Sequence, residues 1–132
     1  MADGYTIKNV DEFEEMEGSG GATWRLARKT LGAEAFGFNV VDIAPGGQIP
    51  AHNHEQDNQE EVFIILDGQA TIVTDDEEHD APAGTFCRYA PAVNRTIRNT
   101  SDAVTESRCS FVYAIAAATI AFPDVGRLSG AS

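Results

Sequence analysis

Short apolar segments separated by turn residues constrain the fold of this chain more than any other feature. Residues 36–43 form one apolar and β-branched segment, which ends at the turn sequence Ala44-Pro45-Gly46-Gly47. Residues 61–66 and 69–74 form two more, joined by Asp67-Gly68, and Asp-Gly between apolar runs is typical of a tight β-hairpin. Such turn signals recur about every eight to twelve residues with almost no helical pattern, so the sequence predicts an all-β sandwich or barrel.

The remaining segments have weaker signals. Residues 48–54 resume in an extended conformation after the first turn, and further strands are predicted at 24–29, 85–89, 95–98 and 105–117. Two stretches without apolar residues, or nearly so, are predicted as solvent loops at 55–60 and 75–80. The spacing of Phe13 and Met16 allows a short helical turn near the N-terminus.

A length of 132 residues is that of a single domain, which buries roughly two-thirds of the surface of its unfolded chain. We expect one domain over 1–132, with a barrel core at about 24–117. The acidic segment 1–21 ends in a glycine-rich join, and residues 123–132 are expected to form a loose tail.

Charge excludes two classes of partner. Nine basic residues are scattered among 21 acidic ones and the net charge is −12, so the chain lacks the cationic surface that nucleic acid or an anionic membrane requires. The longest nearly apolar stretch, 111–122, is shorter than the roughly 20 residues of a membrane span. With no secretory signal at the N-terminus, we expect a cytoplasmic protein. Cys87 and Cys109 are then reduced thiols, although a disulfide between neighbouring strands is the alternative.

Two histidines and a glutamate form the clearest candidate site. His52 and His54 are two residues apart, and side chains at that spacing point the same way on a β-strand. Glu61 begins the next apolar strand and can complete a three-ligand metal site. Glu61 is favoured over Glu60 as the third ligand because of its distance along the sequence to Gly68. Glu60 is expected to be a solvent-exposed charge. His79 lies in an acidic stretch and is expected to be solvated.

These residues resemble the first motif of the cupin superfamily, in particular its small single-domain members. Gly46-x5-His52-x-His54 and Glu61-x6-Gly68 match that motif, but six residues separate His54 from Glu61 where the family has three or four. The second motif is similar in spacing alone. Gly84 and Asn99 match it, whereas its proline, second glycine and histidine are replaced by Ala90, Ala92 and Arg95.

The resemblance implies a double-stranded β-helix, or jelly-roll barrel, with metal ligands inside. It assigns a divalent transition metal (Fe, Mn, Ni, Co, Cu or Zn) to His52, His54 and Glu61, and a small-molecule ligand to the pocket. It implies no one reaction, because the family includes oxygenases, isomerases, decarboxylases, storage proteins and ligand-sensing domains. Whether the chain is an enzyme therefore stays open.

Arg95 takes the place of the family's histidine and cannot bind a metal, because a guanidinium has no free lone pair. It shares a strand face with Ile97, so we expect it to point inward. At about 4 Å it would repel a dication by roughly 8 kcal/mol at an effective dielectric of 20. Three alternatives are open. Arg95 pairs with Glu61 and the pocket holds a small molecule without metal, or it extends past a three-ligand metal to bind an anionic group of the substrate, typically a carboxylate, or it lies at the barrel mouth for structural reasons. Tyr113 is assigned with Arg95 to substrate binding, and core packing is its alternative.

Residues 62–66 are apolar on both faces of their strand. One face can line the barrel, and the other also requires a cover. A second copy of the chain is the simplest cover, so the sequence predicts a homodimer.

Overall fold

The fold is known from a computed structural model that describes residues 4–101 and 109–117. The strands are β1 (Glu15–Glu17), β2 (Ala22–Arg25), β3 (Gly37–Ile43), β4 (Gln59–Asp67), β5 (Gln69–Thr74), β6 (Glu77–Pro82), β7 (Phe86–Tyr89), β8 (Arg95–Asn99) and β9 (Cys109–Ala117). The helices are a 3-10 helix at Val10–Glu12 and α1 at Ala27–Leu31. The all-β prediction is confirmed.

Two antiparallel sheets build the jelly roll. One has six strands in the order β1-β2-β3-β9-β4-β7, and the other has three in the order β6-β5-β8. The extended residues 48–54 continue the smaller sheet beyond β8, with bridges from Gln48 to Arg98 and from His52 to Arg95. The hairpin predicted at Asp67-Gly68 is wrong, because β4 pairs with β7 and β9 whereas β5 pairs with β6 and β8 in the other sheet. The turn at Gly68, which has a positive φ of 84°, instead carries the chain from one sheet to the other.

The core lies between the two sheets. Phe63 on β4 contacts Tyr89 on β7 and Phe111 on β9, at ring-centroid distances of 5.0 and 5.1 Å. Ile72 and Ile97 face them from the smaller sheet, and all five side chains are buried. Alternation along β4 therefore directs Phe63 and its neighbours two positions away into the barrel.

One predicted strand is wrong over most of its length. Residues 24–29 were expected to be extended, but the strand is Ala22–Arg25 and residues 27–31 form α1. The helix ends at Gly32, which adopts a left-handed conformation with φ of 75° and donates its N–H to the carbonyl of Arg28. The sequence Ala27-Arg28-Lys29 with a glycine C-cap is a helix signal that the apolar alternation of Trp24 and Leu26 obscured.

The predicted loop at 75–80 is also wrong, because β6 occupies Glu77–Pro82 and pairs with β5. Residues 77–80 are all exposed, so this edge strand lacks the apolar alternation that identifies a strand from sequence. His79 is exposed as expected, although it lies on this strand. The loop at 55–60 is shorter than predicted, since β4 begins at Gln59.

Near the N-terminus, the helical turn lies at Val10–Glu12 rather than between Phe13 and Met16. Cys87 and Cys109 are free thiols, so the alternative of a disulfide is wrong. The first part of the predicted strand 105–117 and the tail 123–132 lie outside the described residues. Among the described residues, none of the helices has the length and apolar character needed to cross a membrane.

Candidate metal centre

His52 and His54 are positioned by backbone pairing with β8 and the loop before it. The N–H of His52 donates to the carbonyl of Arg95, and the N–H of Arg95 donates back, at 3.0 and 2.9 Å. The N–H of His54 donates to the carbonyl of Pro91 at 2.9 Å. The extended backbone directs both rings to the same side, where their centroids are 5.1 Å apart.

Glu61 reaches the same point from the opposite sheet. It lies on β4 between Tyr89 on β7 and Ile115 on β9, and its side chain is only 2% exposed. Its neighbour Glu60 points to the outside and binds Arg88 at 2.6 Å. The structure thus places Glu61, not Glu60, next to the histidines.

The three side chains converge. Glu61 Oε1 lies 3.3 Å from His52 Nε2, and Glu61 Oε2 lies 3.5 Å from His54 Nε2. One ligand atom from each residue lies within 4.8 Å of the others. Ligands about 2.1 Å from a tetrahedral metal are about 3.4 Å apart, so both contacts with Glu61 match the spacing of a coordination shell.

The hydrogen bond from His52 to Pro50 determines which ring nitrogen faces Glu61. Nδ1 lies 3.0 Å from the Pro50 carbonyl, which can only accept, so Nδ1 carries the proton. In the neutral ring, Nε2 therefore presents a lone pair to the carboxylate. Two lone pairs 3.3 Å apart repel each other unless a cation lies between them, and that cation is either a proton or a metal ion.

Electrostatics keep Glu61 ionised. Burial alone raises the pKa of Glu61, but hydrogen bonds from the protonated form of His52 and from Arg95 outweigh it and leave the pKa below its ordinary value. The same hydrogen bond to Glu61 raises the pKa of His52, although burial opposes it. The site therefore contains a carboxylate at neutral pH, together with an imidazole that attracts a positive charge.

Arg95 lies behind Glu61, not in front of it. Its side chain is fully buried, and its Nε donates to Glu61 Oε1 at 3.0 Å. Its Nη1 donates to the carbonyl of Val93 at 2.7 Å. Nη2 has no hydrogen-bond partner among the described residues. Because the pair is not bidentate, Glu61 Oε2 stays directed at His54.

A cavity of about 300 Å³ opens in front of the three residues. It is lined by His52, His54 and Glu61 and by six further residues, which are Trp24, Ile49, Pro50, Phe63, Tyr113 and Ile115. Tyr113 is among the lining residues, and the Asn39 amide donates to its hydroxyl oxygen at 2.5 Å. Its role in substrate binding stays a prediction. Arg95 is absent from the lining. Its placement favours the ion-pair alternative over direct contact with a ligand.

Several lining residues were missed by sequence reasoning. Phe63 could have been found, because it is two positions from Glu61 on the same strand and must share its face. Trp24 could not, because its position at the cavity depends on β2 pairing with β3, where it lies opposite Val41. The contact of Pro50 with His52 likewise had no signal in the sequence.

The comparisons with known proteins agree with this architecture. Residues 39–110 match the family described as "Cupin domain". A cupin protein from Bacteroides fragilis has a TM-score of 0.72 at 22% identity, covering 91% of this chain and 90% of that one. A sugar phosphate isomerase from a cupin superfamily, from Silicibacter pomeroyi, has a TM-score of 0.69 at 19% identity, covering 84% and 75%.

The polyketide cyclase RemF from Streptomyces resistomycificus has a TM-score of 0.68 at 14% identity, covering 94% of this chain and 92% of that one. No curated protein sequence matches the chain. At these identities the structural neighbours establish the fold and leave the activity of this chain undetermined.

Proposed function

The chain belongs to the cupin family, and from this premise we propose that it binds a divalent transition metal through His52, His54 and Glu61 and holds a small molecule in the adjoining cavity. The observation that carries the proposal is the convergence of three ligand atoms, with His52 Nε2 3.3 Å from Glu61 Oε1 and His54 Nε2 3.5 Å from Glu61 Oε2. When His52 is neutral, its Nε2 and Glu61 Oε1 direct lone pairs at each other. A metal ion bound by both removes their repulsion and uses the neutral form of His52 that Pro50 favours.

The residues present fit a metal in number and chemistry. Two imidazoles and a carboxylate suit any of Fe, Mn, Ni, Co, Cu and Zn, and as three ligands they would leave room for water or a substrate group on the metal. A metal held by these residues would supply a Lewis acid that polarises a bound oxygen atom. Arg95 holds Glu61 in its ionised form, Pro50 orients His52, and the apolar wall of the cavity excludes water.

Zinc binding to chelator-treated protein, measured by calorimetry, tests the proposal. We expect one Zn²⁺ per chain, and an affinity at least tenfold lower in His52→Ala, His54→Ala and Glu61→Gln. His79→Ala is the matched control, because His79 is the third histidine of the chain and lies exposed on β6. Equal zinc affinity in His52→Ala and the parent protein would contradict the proposal.

The second candidate is a metal-free binding module, which is favoured by the buried ion pair of Arg95 and Glu61. In this case Arg95 supplies the positive charge of the site, and the cavity holds a small organic molecule without metal. Elemental analysis distinguishes the candidates. If the protein stays metal-free after incubation with Fe, Mn, Ni and Zn salts, the second candidate replaces the first.

We also propose that the outer face of the six-stranded sheet forms a homodimer. Val62, Ile64 and Leu66 alternate outward along β4, and Phe86 of β7 lies opposite Ile64. Leu66 is 52% exposed and Phe86 is 70% exposed. Exposed apolar side chains of this kind, bordered by the ion pair of Arg88 and Glu60, favour association, and a second copy offers an identical face.

Sedimentation equilibrium tests the dimer. Ile64→Lys places a charge at the centre of this face and should give a monomer, whereas Ile7→Lys, at an exposed apolar residue outside the sheets, should not change the mass. A monomeric parent protein would refute the proposed interface.

The two free thiols further support a reducing, cytoplasmic location, which cell fractionation can test.

A further inference from the structure

From the lining of the cavity, we infer that its ligand is a small aromatic molecule with one oxygen-containing head group. A sugar phosphate, or another ligand that is polar throughout, does not suit this lining. The oxygen lies at the metal and the ring lies against the apolar wall. This inference rests on the proposed function, because it identifies the class of ligand that the metal site takes.

Apart from the three metal-binding residues, the lining of the cavity is almost entirely apolar. Trp24, Phe63, Ile115, Ile49 and Pro50 contribute no side-chain group there that matches a sugar hydroxyl, apart from the indole N–H of Trp24. The other polar group is the Tyr113 hydroxyl, whose oxygen accepts a hydrogen bond from Asn39 and whose proton can serve one ligand oxygen only. Hydroxyl groups buried without partners cost about 1–3 kcal/mol each, so a polyhydroxylated ligand is disfavoured.

Neither lysine nor arginine lines this cavity among the described residues. Arg95 is the nearest cation by position, but its side chain is fully buried behind Glu61 and donates to Glu61 and to the carbonyl of Val93. Phosphate recognition relies on charge-assisted hydrogen bonds from such groups. The cavity therefore lacks the means to bind a phosphate away from the metal.

The rings around the cavity favour an aromatic body. Trp24 and Tyr113 meet edge to face, with centroids 5.6 Å apart, and Phe63 lies on the same wall. Aromatic pairs prefer such edge-to-face or offset contacts. A volume of about 300 Å³ equals the liquid volume of about ten water molecules, which suits a ligand with on the order of ten to fifteen non-hydrogen atoms.

The charge of the site determines the head group. The charges of Glu61 and Arg95 cancel, and both histidines are neutral when they bind a metal, so a bound dication leaves two positive charges in a largely apolar cavity. An ionised oxygen, from a carboxylate, a phenol or an enol, reduces this excess. A neutral hydrocarbon without an oxygen does not.

Calorimetric titration of the zinc-loaded protein with benzoate, acetate and glucose 6-phosphate tests the inference. Benzoate and acetate share a head group, so their ratio measures the contribution of the ring. We expect benzoate to bind about 10- to 100-fold more tightly than acetate, as burial of a phenyl ring predicts, and more tightly than glucose 6-phosphate. Trp24 is the only tryptophan, so its fluorescence should change with benzoate. A benzoate affinity no greater than that of acetate, or a tighter glucose 6-phosphate complex, would overturn the inference.

Two variants on the same strand locate the bound ring. Ile115→Gln places a polar group in the cavity and should reduce benzoate affinity at least fivefold with little change for acetate. Val112→Gln is the control, because Val112 is also on β9 but three positions away, on the opposite face. Equal loss of benzoate affinity in both variants would contradict a ring at this wall.

Failure of the metal site can be distinguished from failure of the ligand class. Zinc binding and its loss in His52→Ala are measured first, without any ligand. If zinc does not bind, p-cresol, a neutral aromatic probe, is titrated into the zinc-free protein. Binding that is lost in Ile115→Gln supports an aromatic cavity although the metal proposal has failed, and no binding overturns both.

Discussion

Removal of the buried charge of Arg95 gives the most stringent test of how the site is held together. In Arg95→Met, Glu61 stays in a position where it is only 2% exposed but loses the cation 3.0 Å away. At about 3 Å and an effective dielectric of 20, that attraction is about 5 kcal/mol. Breaking one side of a buried ion pair costs about 3–5 kcal/mol, so we expect the free energy of unfolding to fall by that amount in metal-free protein.

Urea denaturation of the metal-free protein measures this loss, and Arg98→Met is the matched control. Arg98 lies on the same strand and pairs with Glu78, but the two side chains are 37% and 62% exposed. Exposed pairs contribute about 0–1 kcal/mol, so the control should differ little from the parent protein.

A double-mutant cycle isolates the pair itself. Glu61→Gln removes the charge left unpaired by Arg95→Met, so the double variant should be more stable than the sum of the two single losses predicts, by about 2 kcal/mol or more. Zinc should also stabilise Arg95→Met more than the parent protein, because the dication replaces the missing charge on Glu61. A loss below about 1 kcal/mol in Arg95→Met, or strict additivity in the cycle, would refute an energetically important pair.

Three further predictions concern the rest of the barrel. Burial raises the pKa of the Cys109 thiol from 9.0 to about 11. As the pH rises, the unfolded state therefore releases this proton first, and the free energy of unfolding should fall between these two pH values by at most about 2.7 kcal/mol. Cys109→Val should reduce this fall in alkaline urea titrations. A thiol reagent should modify Cys87 in the folded protein, whereas Cys109, with no exposed surface, should react only on unfolding; equal rates would contradict its burial. Gly47→Ala should lower the free energy of unfolding by about 1–3 kcal/mol, because a Cβ there would lie 2.4 Å from the Gly20 carbonyl oxygen, and an unchanged urea midpoint would contradict that close approach.

Local patterns in the sequence predicted much of the fold. The turn at Asp67-Gly68 and the strand at 69–74 are found where the turn residues and the apolar runs indicated, although the two strands that this turn joins pair in different sheets. These features depend on backbone conformation over a few residues, so the residues themselves contain the information. Strand β6 was missed because it has no such local signal. Its pairing with β5, and not its own composition, makes it a strand.

The candidate site likewise has features that the sequence predicted and features that only the tertiary structure determined. Spacing alone predicted that His52, His54 and Glu61 could meet and that Arg95 would point inward, because alternation in extended chain determines the direction of a side chain. Only the tertiary structure decided that Arg95 lies behind Glu61 and that Trp24 closes the cavity. Both depend on which strands lie side by side and in what register, and that choice is made by packing between residues far apart in the chain.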